Sequence, residues 1–168
     1  MYQYSFANVD LNLEIDFPGY TGQRQFKVEG FVAGENLISI TRKAPIAATQ
    51  FGAYGDMVVS MQRIRAGDLV FPVLMNSPEN QYLQDFANYF QEQADGNGAL
   101  VKPIQASLVD NMGNDEVLCT NGVILAMPAI VRGQTMNTVT WAISFEEVLI
   151  TRKTGGDYET AGVDITTV

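Results

Sequence analysis

Residues 9–17 alternate apolar and polar side chains without interruption. In an extended chain successive side chains point to opposite faces, so this period of two predicts a β-strand with one buried and one solvated face. The solvated face would carry three carboxylates and one amide in a single row: Asp10, Asn12, Glu14 and Asp16. Such a row of carboxylates suits a metal site, a catalytic acid–base pair or a surface that faces a charged molecule.

Most of the remaining chain also has strand character, with turns rich in Gly and Pro at 18–22, at Gly67-Asp68 and at 110–115. Residues 44–56 have no clean period, and we predict a long, mildly apolar connection there. Near Glu146-Glu147 the apolar residues change parity, which predicts a β-bulge. The predicted strands are 26–32, 36–43, 57–64, 69–75, 103–109, 116–120, 122–131 and 136–150.

One helix is predicted after Ser77, which is a good N-cap residue followed by Pro78 and Glu79. Gly96 and Gly98 would end it. Five apolar residues fall at helical spacing, and we expect this stripe to pack on the sheet, with a cofactor pocket as the alternative. The stripe consists of Tyr82, Leu83, Phe86, Tyr89 and Phe90.

Composition narrows the classes of protein. The 168 residues carry a net charge of −9, which argues against holding nucleic acid by its phosphates. The chain has no histidine, which removes the commonest general base and metal ligand. The single cysteine, Cys119, predicts no intrachain disulfide and fits a reducing cytoplasm. Neither a signal peptide nor an apolar run of the roughly 20 residues needed for a membrane span is expected.

Catalytic and metal-binding interpretations have little support. Asp10 and Glu14 could form an acid–base pair, but nothing indicates an apolar pocket that would raise one pKa. Residues 110–116 are acidic but lack the spacing of a calcium loop, so a hairpin turn is favoured. Cys119 has no histidine to activate it and is expected to be buried and inert. We therefore expect no enzyme, no metal and no cofactor.

Two short basic segments stand out in this acidic chain. Seven of the nineteen acidic residues lie in 77–118, beside the single base Lys102. The basic residues are either solvated loop charges or contacts to that acidic tract on a neighbouring copy. They are Arg42, Lys43, Arg152 and Lys153.

These patterns predict a mainly β fold, an antiparallel sandwich or barrel with one flanking helix. Residues 1–150 would form a single domain, and 151–168 a C-terminal arm that is either mobile or ordered only on a partner. Strands with exposed edges suit a building block that pairs with copies of itself. The alternative is a monomeric module that binds a small ligand against Tyr82, Phe86 and Tyr89.

Several segments, read in order, resemble the tail tube proteins of tailed bacteriophages. Ser77, Pro78, Asn80 and Leu83 stand at the places of the family's Ser-Pro-x-Asn-x-x-Leu motif at the helix start. The similarity runs from about Tyr4 to Ile150. The other matching segments are GFVAGENLISITRK (30–43), FGAYGD (51–56, where Tyr54 replaces an Asp of the family), RAGDLVFPVLMN (65–76), VDNMGNDEV (109–117) and WAISFEEVLI (141–150).

The resemblance implies hexameric rings whose neighbouring strands complete one β-barrel and which stack into a hollow tube for DNA ejection. It implies a virion protein assembled in the host cytoplasm, with the tail sheath, the baseplate or tube initiator and the tape measure protein as partners. The helix would lie outside the barrel. Residues 44–56 would reach the adjacent ring with Ile46, Thr49, Phe51 and Tyr54. The tube of a type VI-like or tailocin injection system shares this architecture.

The acidic row of residues 10–16 then has a hypothetical role. Phosphates are held by basic residues, so a lumen lined by Asp10, Asn12, Glu14 and Asp16 would repel a duplex and let it slide without specific binding. The same row could instead face outward toward basic residues of a sheath.

Overall fold

The structure is a computed structural model that describes residues 9–31, 38–93, 102–111, 115–135 and 137–152. Within these residues one helix follows six strands and precedes three more. In chain order the elements are β1 Val9–Ile15, β2 Gln25–Val28, β3 Ser39–Arg42, β4 Ala47–Phe51, β5 Met57–Met61, β6 Gly67–Leu74, α1 Pro78–Glu92, β7 Ile104–Asp110, β8 Asp115–Ile124 and β9 Thr138–Arg152.

Seven strands form one antiparallel sheet in the order β2-β1-β7-β8-β9-β6-β3. The strands β4 and β5 pair only with each other, as a separate two-stranded sheet. The predicted mainly β, antiparallel fold with one helix is therefore confirmed. Within the described residues the large sheet does not close, so β2 and β3 are its two edges.

The alternation that predicted β1 corresponds to its burial. Leu11, Leu13 and Ile15 are buried, whereas Asn12 and Glu14 are exposed. Antiparallel pairing places Leu11 opposite both Val28 of β2 and Leu108 of β7, so the apolar face continues across three strands. One face of the sheet thus forms the core, and the row of polar residues lies on the other.

The core is centred on the pairing of β6 with β9. Trp141 lies opposite Phe71, and both side chains are fully buried, as are Ile143 and Leu69 on the same face. Fully burying one such large apolar side chain contributes about 1.5–3 kcal/mol. Helix α1 covers this face with Leu83 and Phe86.

Helix α1 begins as the sequence predicted. The backbone N–H of Asn80 donates to the Ser77 hydroxyl at 3.3 Å, and Pro78 is the first helical residue. The side chain of Asn80 is itself buried: its Oδ1 accepts from the Trp141 indole N–H at 2.9 Å, and its Nδ2 donates to the Met75 carbonyl at 2.9 Å. The helix ends at Glu92; Gly96 and Gly98 lie outside the described residues.

The aromatic residues of α1 contact aromatic residues that follow β1. Tyr89 lies edge-on to Phe17 with ring centroids 5.6 Å apart, and Phe86 lies 5.3 Å from Tyr20. Tyr82 contacts Phe26 of β2 at 5.3 Å, and Phe90 contacts Phe17 at 5.9 Å. Such pairs contribute about 0.5–1.5 kcal/mol each beyond area burial. The helix is therefore anchored at both the centre and the β1–β2 end of the sheet.

Two sequence predictions about turns were wrong. Gly67 and Asp68 lie inside β6 and do not form a turn; a Cβ at Gly67 would come within 2.7 Å of Val148 Cγ2, so glycine permits the close approach of β9 there. Residues 44–56 are not a plain connection, because 47–51 form β4. β4 is mostly exposed, so its apolar and polar residues do not have to alternate. The sequence of β4 therefore shows no period of two.

Several strand bounds also differ. β2 ends at Val28 and β8 at Ile124, so residues 125–131, predicted as the later part of a strand, lie outside the sheet without regular secondary structure. β8 runs unbroken through Asn121, whose φ of 56° coincides with a register shift against β7 between Ile104 and Ala106. β9 continues to Arg152, two residues past the predicted end of the domain.

The irregularity predicted at Glu146-Glu147 lies on one side of β9. Against β8 the register is constant from Asp115↔Arg152 to Ile124↔Ile143. On the other side Phe145 pairs with Gly67, while the Val148 N–H donates to the Arg65 carbonyl. Two residues, Glu146 and Glu147, therefore lie opposite the single residue Ala66, as in a β-bulge.

Candidate functional site

The face of the sheet opposite the core carries an open groove of about 610 Å³ over β2, β1, β7 and β8. Cross-strand pairing places Asn12 beside Ser107 and Lys27, and Glu14 beside Gln105 and Gln25. The groove is therefore lined by uncharged polar and apolar side chains in similar numbers, with one carboxylate, Glu14, and one ammonium group, Lys27. The sequence prediction that Asp10, Asn12 and Glu14 share a solvated face agrees with this geometry; Asp16 follows the strand end and is exposed.

One member of the acidic row has a basic partner. Lys27 Nζ lies 2.8 Å from Asp10 and 3.6 Å from Glu29, and the Asn111 side chain donates to Asp10 at 3.1 Å. The hydrogen bond to Asp10 raises the pKa of Lys27. The carboxylate of Asp10 is therefore partly neutralised within its own chain, because β2 places a lysine next to it. No ion pair reaches Glu14 or Asp16 from the part of the chain that the structure describes.

The β4–β5 hairpin is the second candidate surface. It carries large apolar side chains in the open, including Phe51 and Met57, and the tip residue Tyr54 is 97% exposed. Residues opposite one another in an antiparallel pair share a face. One face, which we call the apolar hairpin face, consists of Ala47, Thr49, Phe51, Met57, Val59 and Met61.

The other face of the hairpin is smaller and more polar, with Ala48, Gln50, Val58 and Ser60. The tip is a tight connection: the Gly52 N–H donates to the Asp56 carbonyl at 2.7 Å, and Gly55 has a φ of +88°. A three-residue loop with glycine in the left-handed region is a standard hairpin connection. The hairpin is thus a defined structure with one side suited to burial.

All four residues predicted to contact an adjacent ring belong to this projection. Thr49 and Phe51 lie on the apolar hairpin face, and Tyr54 lies at the tip. Ile46 lies at the base, where its carbonyl accepts from the Gln62 N–H. Sequence reasoning missed Met57, Val59 and Met61 as members of the same surface. The sequence feature that could have identified them is the predicted strand segment MVVSM, which carries apolar residues on both of its faces.

Two of the four basic residues proposed for contacts between copies have partners within the chain. Lys43 Nζ lies 3.2 Å from Asp68 and donates to the Ser144 hydroxyl, and Arg42 donates to the Val148 carbonyl at 3.3 Å. Arg152 is the last residue of β9, and Lys153 lies outside the described residues. Contacts of these four residues to a neighbouring copy stay a prediction.

The core provides no comparable site near the helix. The cavity beside Phe86 and Phe90 has a volume of only about 40 Å³, and the aromatic stripe does not line the large groove. Ligand pockets usually measure about 300–1,000 Å³. Burial raises the pKa of the Cys119 thiol to about 11. Among the described residues no helix is long and apolar enough to span a membrane, and no three acidic or Cys side chains cluster as metal ligands would.

An open antiparallel sheet with one covering helix and an exposed apolar hairpin is typical of a structural protein that pairs with copies of itself. The particular family follows from comparison of sequences: residues 1–153 match the family of the bacteriophage PhiTE tail tube protein, and the chain belongs to this family. It is thus a structural component of a phage tail tube. No curated protein sequence matches the chain.

Solved structures with the same fold come from contractile injection systems. A chain of the cap that terminates the anti-feeding prophage tube is 12% identical, with a TM-score of 0.52 over 90% of this chain and 93% of that chain. The sheath/tube terminator of the extracellular contractile injection system PVC is 11% identical, with a TM-score of 0.51 over 90% and 98%. A chain of the anti-feeding prophage baseplate is 8% identical, with a TM-score of 0.54 over 90% and 98%.

Proposed function

We propose that the chain forms hexameric rings that stack into the tail tube, and that DNA leaves the virion through its lumen. The observation that carries this proposal is the open sheet. Its edge strands β2 and β3 lie at opposite ends of the strand order. Exposed edges offer backbone N–H and C=O groups to another strand. A closed ring of copies would pair each β2 edge with the β3 edge of the next subunit and leave no edge exposed.

The hairpin provides the contact between rings. Its apolar face and Tyr54 are exposed in the single chain, and contiguous apolar surfaces of this kind mark interaction sites. Burial against a subunit of the adjacent ring would remove them from water. The residues that make the contact include Ile46, Thr49, Phe51 and Tyr54.

The polar face of the sheet lines the lumen. Asp10, Asn12, Glu14 and Asp16 place carboxylates there, and Lys27 neutralises part of the row at Asp10. A duplex binds by releasing counterions to basic residues, so a face dominated by acids and amides gives DNA no adhesive contact. The tail sheath, the baseplate or tube initiator and the tape measure protein are the proposed partners, and Arg42, Lys43, Arg152 and Lys153 are proposed for contacts between subunits.

The edge-pairing step has a direct test. Lys43 donates its N–H to the Ala66 carbonyl, so by the alternation of antiparallel bonds the Arg42 N–H points away from β6, toward the free edge. Arg42→Pro removes this N–H and should abolish rings and tubes in negative-stain micrographs while circular dichroism shows a folded chain. Arg42→Ala keeps the N–H and should still form rings, but at a higher protein concentration because the side chain proposed for a contact between subunits is lost. Normal rings with Arg42→Pro would contradict the pairing of β3 between subunits.

The lumen assignment needs whole virions. Replacing Asp10, Glu14 and Asp16 together by lysine should leave tubes intact but slow or stall DNA ejection, because the lumen would then hold phosphates. The matched variant with Asn, Gln and Asn at these positions removes the charge without adding a base and should eject at a rate near the wild type. Normal DNA ejection by the lysine variant would contradict the assignment of this polar face to the lumen.

A second candidate function is the tube of a type VI-like or tailocin injection system. The observation that favours it is the shared fold with the anti-feeding prophage and PVC chains. Particles purified with this protein distinguish the two: tails joined to DNA-filled capsids support the phage tail, and headless particles support the injection system.

A further inference from the structure

We infer that the hairpin docks on residues 125–132 of a second copy, with Tyr54 in the cleft beside Arg132 and Asp56 paired to Arg132. This inference rests on the proposed stacking of subunits and names the surface that receives the hairpin. Four apolar side chains of that segment are exposed, Ile130 by 70%, although the segment adjoins the core strand β8. The four are Leu125, Met127, Ile130 and Val131.

The large exposed apolar side chains concentrate in these two regions. Eight belong to the hairpin and its base, four to residues 125–131, and the other three, Leu118, Leu149 and Ile150, lie on β8 and β9. A contact that repeats from copy to copy without a twofold axis joins two different patches of the same chain. The hairpin and the 125–132 segment are such a pair, because both are apolar and neither is covered by the described residues of its own subunit.

The two surfaces involve similar numbers of residues. The hairpin strands have five residues each, which gives a length of about 17 Å, and the exposed apolar residues of the receiving segment fall within the seven residues 125–131. At the end of the segment lies a cleft of about 250 Å³, lined by Val131, Arg132, Asn137 and Met75, among others. Tyr54 is the most exposed large side chain of the chain's described part, and tyrosines in such clefts often dominate binding energies.

The charges of the two surfaces are complementary. Asp56 is the single charged residue in 44–62, and Arg132 is the single charged residue in 122–137. Both side chains are exposed. Asp56 follows Tyr54 by two residues at the tip, and Arg132 lines the cleft. When the ring of Tyr54 enters the cleft, the carboxylate and the guanidinium are brought to the same end of the contact.

Cross-linking between two chains tests the docking directly. One chain carries Ala53→Cys at the tip and a second, differently tagged chain carries Gln134→Cys beside Arg132; both positions are exposed. The native Cys119 is buried with its thiol pKa raised, so it stays unreactive and the wild type serves as the background control. Oxidation of the mixture should give a dimer that contains both tags. Each chain alone should remain at least tenfold less cross-linked.

The outcomes separate this inference from the proposed function. Mixed dimers support the docking even where no tubes form, and in that case the proposed tube fails alone. Tubes without mixed dimers overturn the docking and leave the tube intact. Dimers of Ala53→Cys with itself, at the level expected for the mixture, would show that hairpins pair with hairpins and would overturn the docking as well.

A charge exchange gives an independent measurement. Asp56→Arg or Arg132→Asp should each raise the protein concentration needed for tube formation about five- to tenfold, because an attraction becomes a repulsion. The double variant should return to within about twofold of the wild type. Asp85→Arg on the exposed side of α1 is the control for added charge. Single variants without effect, or a double variant no better than either, would refute the pairing.

Discussion

The body of the subunit and its hairpin contain the same kinds of residue in opposite surroundings. Leu69, Phe71 and Val73 of β6 are completely buried, whereas Met57, Val59 and Met61 of β5 are each about half exposed or more. Both strands belong to antiparallel pairs, so backbone pairing does not separate them. The difference is that β6 packs under a helix and β5 packs on nothing in its own chain's described part.

This contrast indicates that the body and the hairpin have different roles. A two-stranded hairpin alone is marginally stable in water, while a multi-stranded sheet with a packed face is stable by itself. Substitutions in the body should therefore alter the free energy of unfolding of the single chain. Substitutions in the hairpin should alter assembly and leave that free energy nearly unchanged.

The largest effect on stability is expected at Trp141. Trp141→Ala removes a fully buried indole and should lower the free energy of unfolding by about 3–5 kcal/mol, measured by urea denaturation of unassembled protein. The control is Phe51→Ala in the hairpin, which should change it by less than about 0.5 kcal/mol. Comparable losses in both variants would erase the distinction between the two regions.

The same contrast explains how far sequence alone could predict this fold. The start and the buried face of β1 and the start of α1 were evident from sequence, because alternation reports one buried face and a capping residue marks a helix start. Both signals are local. The Lys27–Asp10 pair depends on which strand lies beside β1, and no local pattern contains that information. β4 was missed because it is mostly exposed in the single chain and so shows no alternation of apolar and polar residues. Gly67 was wrongly predicted as a turn because the side chain that requires a glycine there, Val148, lies on a distant strand.

A smaller loss of stability is expected at Asn80, which joins the helix to the core. Asn80→Ala removes the acceptor of the Trp141 N–H and the donor to the Met75 carbonyl, and both groups are left buried. The free energy of unfolding should fall by about 1–3 kcal/mol. Asn88→Ala on the exposed side of the same helix should be neutral or slightly stabilising. Equal effects at both positions would mean that the hydrogen bonds to Asn80 contribute nothing.

The buried thiol predicts a pH effect confined to the body. Burial raises the pKa of the Cys119 thiol to about 11 in the folded chain from 9.0 for an unburied thiol, so the folded state disfavours the thiolate. Stability from this group is complete below pH 9 and is lost as the pH rises toward 11, because the unfolded chain releases its proton first. Between pH 8 and 10 the wild type should lose about 1 kcal/mol more than Cys119→Ala. Identical slopes for the two proteins would show that the thiol ionises without penalty.

The smallest change in global stability is expected at the hairpin tip. Gly55 has a φ of +88°, so Gly55→Ala strains the turn and should speed hydrogen exchange of the β4 and β5 amides about fivefold in the single chain, corresponding to about 1 kcal/mol. The control Gly52→Ala meets nothing nearer than 3.7 Å and should have little effect. The amides of β9 should exchange at unchanged rates in both variants, since the hairpin opens independently of the seven-stranded sheet. Faster exchange in β9 with Gly55→Ala would mean that the hairpin and the body unfold as one unit, and that the hairpin supports the fold as well as the assembly.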